Sequence, residues 1–132
     1  MSAGYLVDTS IFLAGEHERT LGPAPDGQGR MSVATLTELL LGVHRAPDAD
    51  AREVRECTLA RAGGFVPVPF DENVAVRLAE LLAAARDQGR RAGAMDAIVA
   101  ATALTHDLAV WTQDADYDVL AELAPELRVV RG

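Results

Sequence analysis

The sequence predicts an α/β fold, a short central parallel sheet flanked by helices. Two observations carry this. Apolar runs of strand length alternate along the chain with longer segments that are apolar at helical spacing. Those strand-like runs are apolar throughout rather than at every second residue, as strands covered on both faces are. With 132 residues the chain has the length of one domain, so residues 1–132 are expected to form a single unit. A chain of this size buries about two-thirds of the surface its unfolded form exposes, enough for a genuine core.

The elements follow in order. Tyr5-Leu6-Val7 reads as a buried strand ending at Asp8, after which Thr9 or Ser10 can cap a helix through Ile11, Phe12, Leu13 and Ala14. Residues 21–29 are rich in Gly and Pro and form a loop. Met31-Ser32-Val33 is a second short strand. The next helix carries Leu36, Leu39, Leu40 and Val43 as its apolar stripe and must stop before Pro47. Asp48 to Ala62 is a charged, largely solvated helix, with Asp48–Arg52 and Arg52–Glu56 at i, i+4 spacing. Phe65 to Phe70 contains Pro67 and Pro69, which donate nothing to a ladder, so that strand belongs at an edge or is very short. Asp71 opens a helix with Val74, Leu78, Leu81, Leu82 and Ala85 on one face, and residues 88–93 make a basic turn. A helix from about Met95 to Thr105, a strand over Ala109-Val110-Trp111-Thr112, a short helix from Val119 to Leu123 and a strand over Leu127–Val130 complete the chain.

Composition excludes several chemistries. Hydrophobic residues make up 49% and aromatics 5%, so the core is built from Leu, Val and Ala. All twelve basic residues are arginine, and the absence of lysine excludes P-loop nucleotide hydrolysis and Schiff-base catalysis. One cysteine, Cys57, excludes an internal disulfide framework and a thiolate-rich zinc site, and is expected in the core or half-buried. No run reaches the roughly 18 apolar residues of a membrane span, and Met1–Asp8 meets an acid too early for a signal peptide, so a cytoplasmic protein is expected. A net charge of −8 argues against a broad electrostatic grip on nucleic acid, but not against a local site where cations compensate carboxylates.

In parallel α/β sheets, ligands sit outside the carboxyl ends of the strands. Asp8 ends the first strand, Asp114 and Asp116 follow the 109–112 strand, and Asp96 opens a helix that can face the same edge. Several carboxylates within a few ångströms cannot all stay ionised without compensation, and oxygen donors lacking His or Cys suit Mg²⁺ or Mn²⁺. Plainer roles exist for each: Asp8 as a helix cap, Asp96 meeting a helix dipole, Asp114, Asp116 and Asp118 as a solvated turn. Glu38 lies off the Leu36/Leu40 stripe, beside Ala34 and Leu41, and helical spacing alone does not select it.

The segments Leu6-Val7-Asp8-Thr9-Ser10, Ser32 to Leu40 with Glu38, Asp96 to Ala103, and Thr112-Gln113-Asp114-Ala115-Asp116-Tyr117, in this order and over nearly the whole chain, resemble the four motifs of PIN-domain ribonucleases, and among them the VapC toxins. The resemblance implies a PIN-like sheet flanked by helices and an acidic quartet of Asp8, Glu38, Asp96 and Asp114. It implies Mg²⁺ or Mn²⁺ bound by Asp8, Asp96 and Asp114, with Asp116 as an extra ligand or an acid behind the ligands, and with Thr9, Ser10 and Thr112 orienting the carboxylates or a metal-bound water. Asp114 and Asp116 compete for the role of main ligand, since family members vary at the first of them. Tyr117 stands where Phe is commoner. The resemblance further implies cleavage of RNA, a homodimer and inhibition by a cognate VapB-type antitoxin.

Arg90 and Arg91, just before the Asp96 helix, can contact RNA phosphates or form a solvated turn. His17, His44 and His106 share no ligand spacing. Trp111 and Phe12 are expected in the core, and core packing is also favoured for the Leu41 region over an apolar surface for a partner. Two rival readings make different demands on the sequence. A haloacid-dehalogenase-type phosphatase needs an Asp where Ser10 stands and a downstream lysine. A non-catalytic PIN-like binding scaffold is disfavoured by the presence of all four acids.

Overall fold

A computed structural model describes residues 4–132. The first three residues of Met1–Asp8, where no leader is expected, lie outside the described residues. The elements in chain order are β1 (Tyr5–Val7), α1 (Thr9–Glu16), β2 (Gly29–Ser32), α2 (Val33–His44), α3 (Ala49–Ala62), β3 (Val66–Val68), α4 (Glu72–Asp87), α5 (Ala94–His106), β4 (Ala109–Thr112), α6 (Asp116–Leu123) and β5 (Val129–Arg131). The five strands form one parallel sheet in the order β3-β2-β1-β4-β5, as the alternation of elements predicts. The chain lays down β1, β2 and β3 in one direction, then returns to place β4 on the other side of β1. The reversal lies between β1 and β4, where an open α/β sheet forms its ligand crevice.

Strand alternation divides the core in two. Leu6 and Val110 face Leu81, Ala97, Ala100 and Tyr117 on the side of α4, α5 and α6. Tyr5, Val7, Ala109 and Trp111 face Ile11, Phe12 and Ala62 on the side of α1 and α3. The few aromatics stack edge to face here, Tyr5 on Trp111 at 5.8 Å and Phe12 on Phe65 at 5.5 Å between ring centres. Alanines dominate the buried face of α5, which lets that helix lie close against the sheet. Gly4, at φ +107°, brings the backbone so close to the Gln28 carbonyl that a Cβ would sit 2.3 Å from it.

Several boundaries and burial expectations need correction. The second strand is Gly29–Ser32, because Ser32 turns out of the sheet and caps α2 through its side chain, which makes Val33 helical. Helix α6 begins at Asp116 rather than Val119, and β5 is shifted to Val129–Arg131. Asp48 caps α3 by accepting from Ala51 N–H, so only the Arg52–Glu56 pair forms as spaced. The buried stripe of α2 is Ala34, Thr35, Leu39 and Val43, whereas Leu40 and Leu41 are exposed. Leu82 of α4 is likewise exposed. Cys57 is exposed, because α3 turns only Thr58 and Ala62 fully inward. Pro67 holds β3 to three residues at the sheet edge, as its missing donor requires.

Candidate active site

The site is built at the carboxyl ends of β1 and β4. Asp8, 3% exposed, follows β1 and caps α1, its Oδ2 accepting from Ser10 N at 3.2 Å. Two hydroxyls donate to the same oxygen, Ser10 Oγ at 2.7 Å and Thr112 Oγ1 at 2.8 Å. The Tyr117 hydroxyl donates to the other oxygen, Oδ1, at 2.9 Å. A carboxylate removed from water needs such donors, and Asp8 has four. The cap and the site are therefore one arrangement at this residue.

Thr112, fully buried, also accepts from the Asp114 N–H at 2.9 Å, which sets the path of the chain leaving β4. Asp114 Oδ1 in turn accepts from Asp116 N–H at 2.9 Å, the turn that starts α6. Asp96 enters from the first turn of α5. Carboxylate oxygens of Asp96, Asp114 and Asp116 lie within 4.8 Å of one another. Asp8 lies outside that trio and is joined to Asp96 through Tyr117, whose hydroxyl is 3.4 Å from Asp96 Oδ1. Glu38 comes from α2, half-buried, with Thr9 Oγ1 donating to its Oε1 at 2.8 Å.

The electrostatics are those of surplus negative charge. Burial pushes the Asp96 carboxyl up to about 7, helped by repulsion from Asp114, Asp8, Glu38 and Asp116. Glu38 is also raised, chiefly by burial and then by Asp8 and Asp114, with the Thr9 hydrogen bond opposing. Burial and the negative charges of Asp8 and Asp96 raise Tyr117, so its hydroxyl stays a proton donor at working pH. A hard divalent cation fits this donor set: all the converging ligands are carboxylate oxygens, and their mutual repulsion is what a cation would relieve.

The sequence-predicted residues Asp8, Glu38, Asp96, Asp114 and Asp116 thus converge, with Thr9, Ser10 and Thr112 each bonded to a carboxylate. Asp114 and Asp116 both approach Asp96. Asp118 points elsewhere, pairing with Arg131 at 2.6 Å. Arg90 is engaged by Glu122 at 2.8 Å, while Arg91 lies exposed in the turn before α5.

Two features escaped the reading of the sequence. Tyr117 stood out only as a departure from Phe; its position three residues after Asp114, in the first turn of a helix, was the available signal. Arg19 donates through Nε to Gln113 Oε1 at 3.0 Å and through Nη2 to the Ser10 carbonyl at 3.3 Å, so a cation flanks the site on neutral acceptors. Nothing in the sequence links residues 94 positions apart. Beside Thr9 and Glu38 a cavity of about 470 Å³ opens between α1, α2 and α3, with Arg45 and Arg55 among its lining residues.

The PIN domain family model matches residues 5–123. Ribonuclease VapC5 of Mycobacterium tuberculosis is 35% identical over 131 residues, covering 98% of this chain and 96% of that protein. Ribonuclease VapC4 of the same organism is 36% identical over 119 residues, covering 89% and 92%. Among solved structures, that of VapBC-5 from Mycobacterium tuberculosis, a member of the VapBC family of toxin-antitoxin systems, superposes with a TM-score of 0.85 at 32% identity, covering 98% of this chain and 99% of that one. With the acidic cluster at the switch point of a parallel sheet and relatives matched along almost its whole length, the chain belongs to the PIN-domain family, in its VapC branch.

Proposed function

We propose that this chain is a Mg²⁺- or Mn²⁺-dependent endoribonuclease toxin that hydrolyses phosphodiester bonds in single-stranded regions of cellular RNA and is silenced by a VapB-type antitoxin. The observation that carries the reading is the convergence of five carboxylates from the β1–α1 junction, α2, α5 and the β4–α6 junction on one crevice. Relatives named as ribonucleases support the activity, and the toxin-antitoxin structure that this chain resembles supports the partner.

In this reading Asp96, Asp114 and Asp116 hold the cation with Asp8, and Glu38 completes the catalytic set. A bound divalent ion supplies activation of water and charge compensation for in-line phosphoryl displacement. The chain's own groups prepare that chemistry. Ser10 and Thr112 fix the Asp8 carboxylate, Thr9 fixes Glu38, and the Asp114 turn delivers Asp116 to Asp96. Arg19 and Arg91 are suited to backbone phosphates, which position a strand without reading its sequence. Arg90 would have to leave Glu122 to join them.

Residues 1–132 act as one nuclease domain in the cytoplasm, as a homodimer. Among the described residues no helix is long and apolar enough to cross a membrane. Exposed Val66, Phe70 and Val76 give a second copy apolar surface to cover.

The test is cleavage of total cellular RNA by the purified, antitoxin-free chain with Mg²⁺, Mn²⁺ or EDTA, beside Asp8→Asn and Asp96→Asn. Discrete metal-dependent fragments, absent from both variants, are expected, and both variants should lose growth arrest in cells. Intact RNA from folded wild-type protein under every condition, or toxicity retained by both variants, overturns the reading.

A further inference from the structure

We propose that Tyr117 is a positioning residue that stands in for the cation, its hydroxyl holding Asp8 and Asp96 together when the acidic centre is empty. The inference rests on the metal reading above.

Asp8 is the buried end of the link. Its Oδ2 is saturated by Ser10 N, Ser10 Oγ and Thr112 Oγ1. Its Oδ1 has one protein donor among the described residues, the Tyr117 hydroxyl at 2.9 Å. That hydroxyl also lies 3.4 Å from Asp96 Oδ1, so one O–H is shared between a carboxylate that caps α1 and one in the first turn of α5. The ring is fully buried and packs with Leu6, Ala97, Val110 and Leu120, which fixes where the hydroxyl points. A phenylalanine would fill the same space and leave Asp8 Oδ1 buried without a donor.

A donor between the two carboxyl groups offsets part of their repulsion, which a cation held by Asp8 and Asp96 would also offset. The two stabilisations therefore overlap. In the wild-type chain a cation would meet carboxyl groups already partly compensated; in Tyr117→Phe it would relieve an unsatisfied buried carboxylate, and gain correspondingly more. Tyr117 thus steadies the metal-free chain and weakens its hold on metal.

The experiment compares wild type and Tyr117→Phe by thermal unfolding in EDTA and by calorimetric titration with MnCl₂. Loss of one charge-assisted hydrogen bond predicts a lower melting temperature without metal and Mn²⁺ binding tighter by about tenfold. Ring packing alone moves neither quantity, because Phe preserves it. A double variant with Asp8→Asn isolates the route: the stability loss from Tyr117→Phe should shrink once the Asp8 charge is gone, and full additivity overturns the proposal. Mn²⁺ affinity that is unchanged or weaker in Tyr117→Phe overturns it as well, with the metal reading intact. Absence of Mn²⁺ and Mg²⁺ binding to the wild-type chain overturns the metal reading, and the stand-in role with it.

Discussion

Replacing Asp96 by Asn should make the metal-free protein more stable, by an amount that depends on pH in a specified direction. Burial and four neighbouring carboxylates lift the Asp96 carboxyl from 3.8 to about 7. In the unfolded chain it titrates at its ordinary value, so between about pH 4 and pH 7 the folded state holds a proton that the unfolded state has released. Stability from this group is fully present below pH 4 and is lost as pH rises through about 7. At 1.36 kcal/mol per pKa unit the interval amounts to about 4 kcal/mol, and solvent screening of this half-exposed side chain reduces it to about 2 kcal/mol. Asn is neutral at every pH and nearly the same shape. In EDTA at pH 8 the variant should therefore gain about 2 kcal/mol, a rise of roughly 4–8 °C in melting temperature for a chain of this length. At pH 4.5 the two proteins should melt almost together. Scanning calorimetry or circular dichroism melts at the two pH values decide it. An equal gain at both, or none at pH 8, would mean that the carboxylates do not strain one another in the folded chain.

Two further outcomes follow from the same geometry. Thr112→Val keeps the shape but removes the donor to Asp8 Oδ2 and the acceptor for Asp114 N–H; urea unfolding should show a loss of about 2–3 kcal/mol, with nuclease activity falling, whereas wild-type stability would show that these hydrogen bonds are dispensable. Cation affinity should fall as Asp96 takes up its proton, about tenfold per pH unit below about 7 and level above it; a flat Mn²⁺ titration series from pH 5.5 to 8.5 would rule out Asp96 as a ligand.

The positions of Asp8, Asp96, Asp114 and Asp116 were legible because each sits at an element boundary that the sequence marks. An apolar strand run ends at Asp8, another ends just before Asp114, and Asp96 opens an alanine-rich helix. Glu38 was legible only through the resemblance of its motif. Its place on α2 is neither on the apolar stripe nor opposite it, and what makes it part of the site is Thr9 from another helix. The errors at Leu40 and Leu82 share one cause. Helical periodicity states which residues are apolar, but packing against particular neighbours decides how wide a face is covered.

Strand-length apolar runs alternating with helical ones sufficed to specify a parallel α/β sheet, since each pattern admits one local structure that buries it. Composition sufficed to exclude lysine chemistry, an internal disulfide framework and a thiolate-rich zinc site. The order of strands, however, is set by which helix faces fit which side of the sheet, a matter of contacts between distant residues. That order puts β4 beside β1 and so turns residues about a hundred positions apart into hydrogen-bonded neighbours. The raised Asp96 carboxyl, the Arg19–Gln113 link and the Tyr117 hydroxyl shared by Asp8 and Asp96 exist only after that placement, because each is a property of a distance in space.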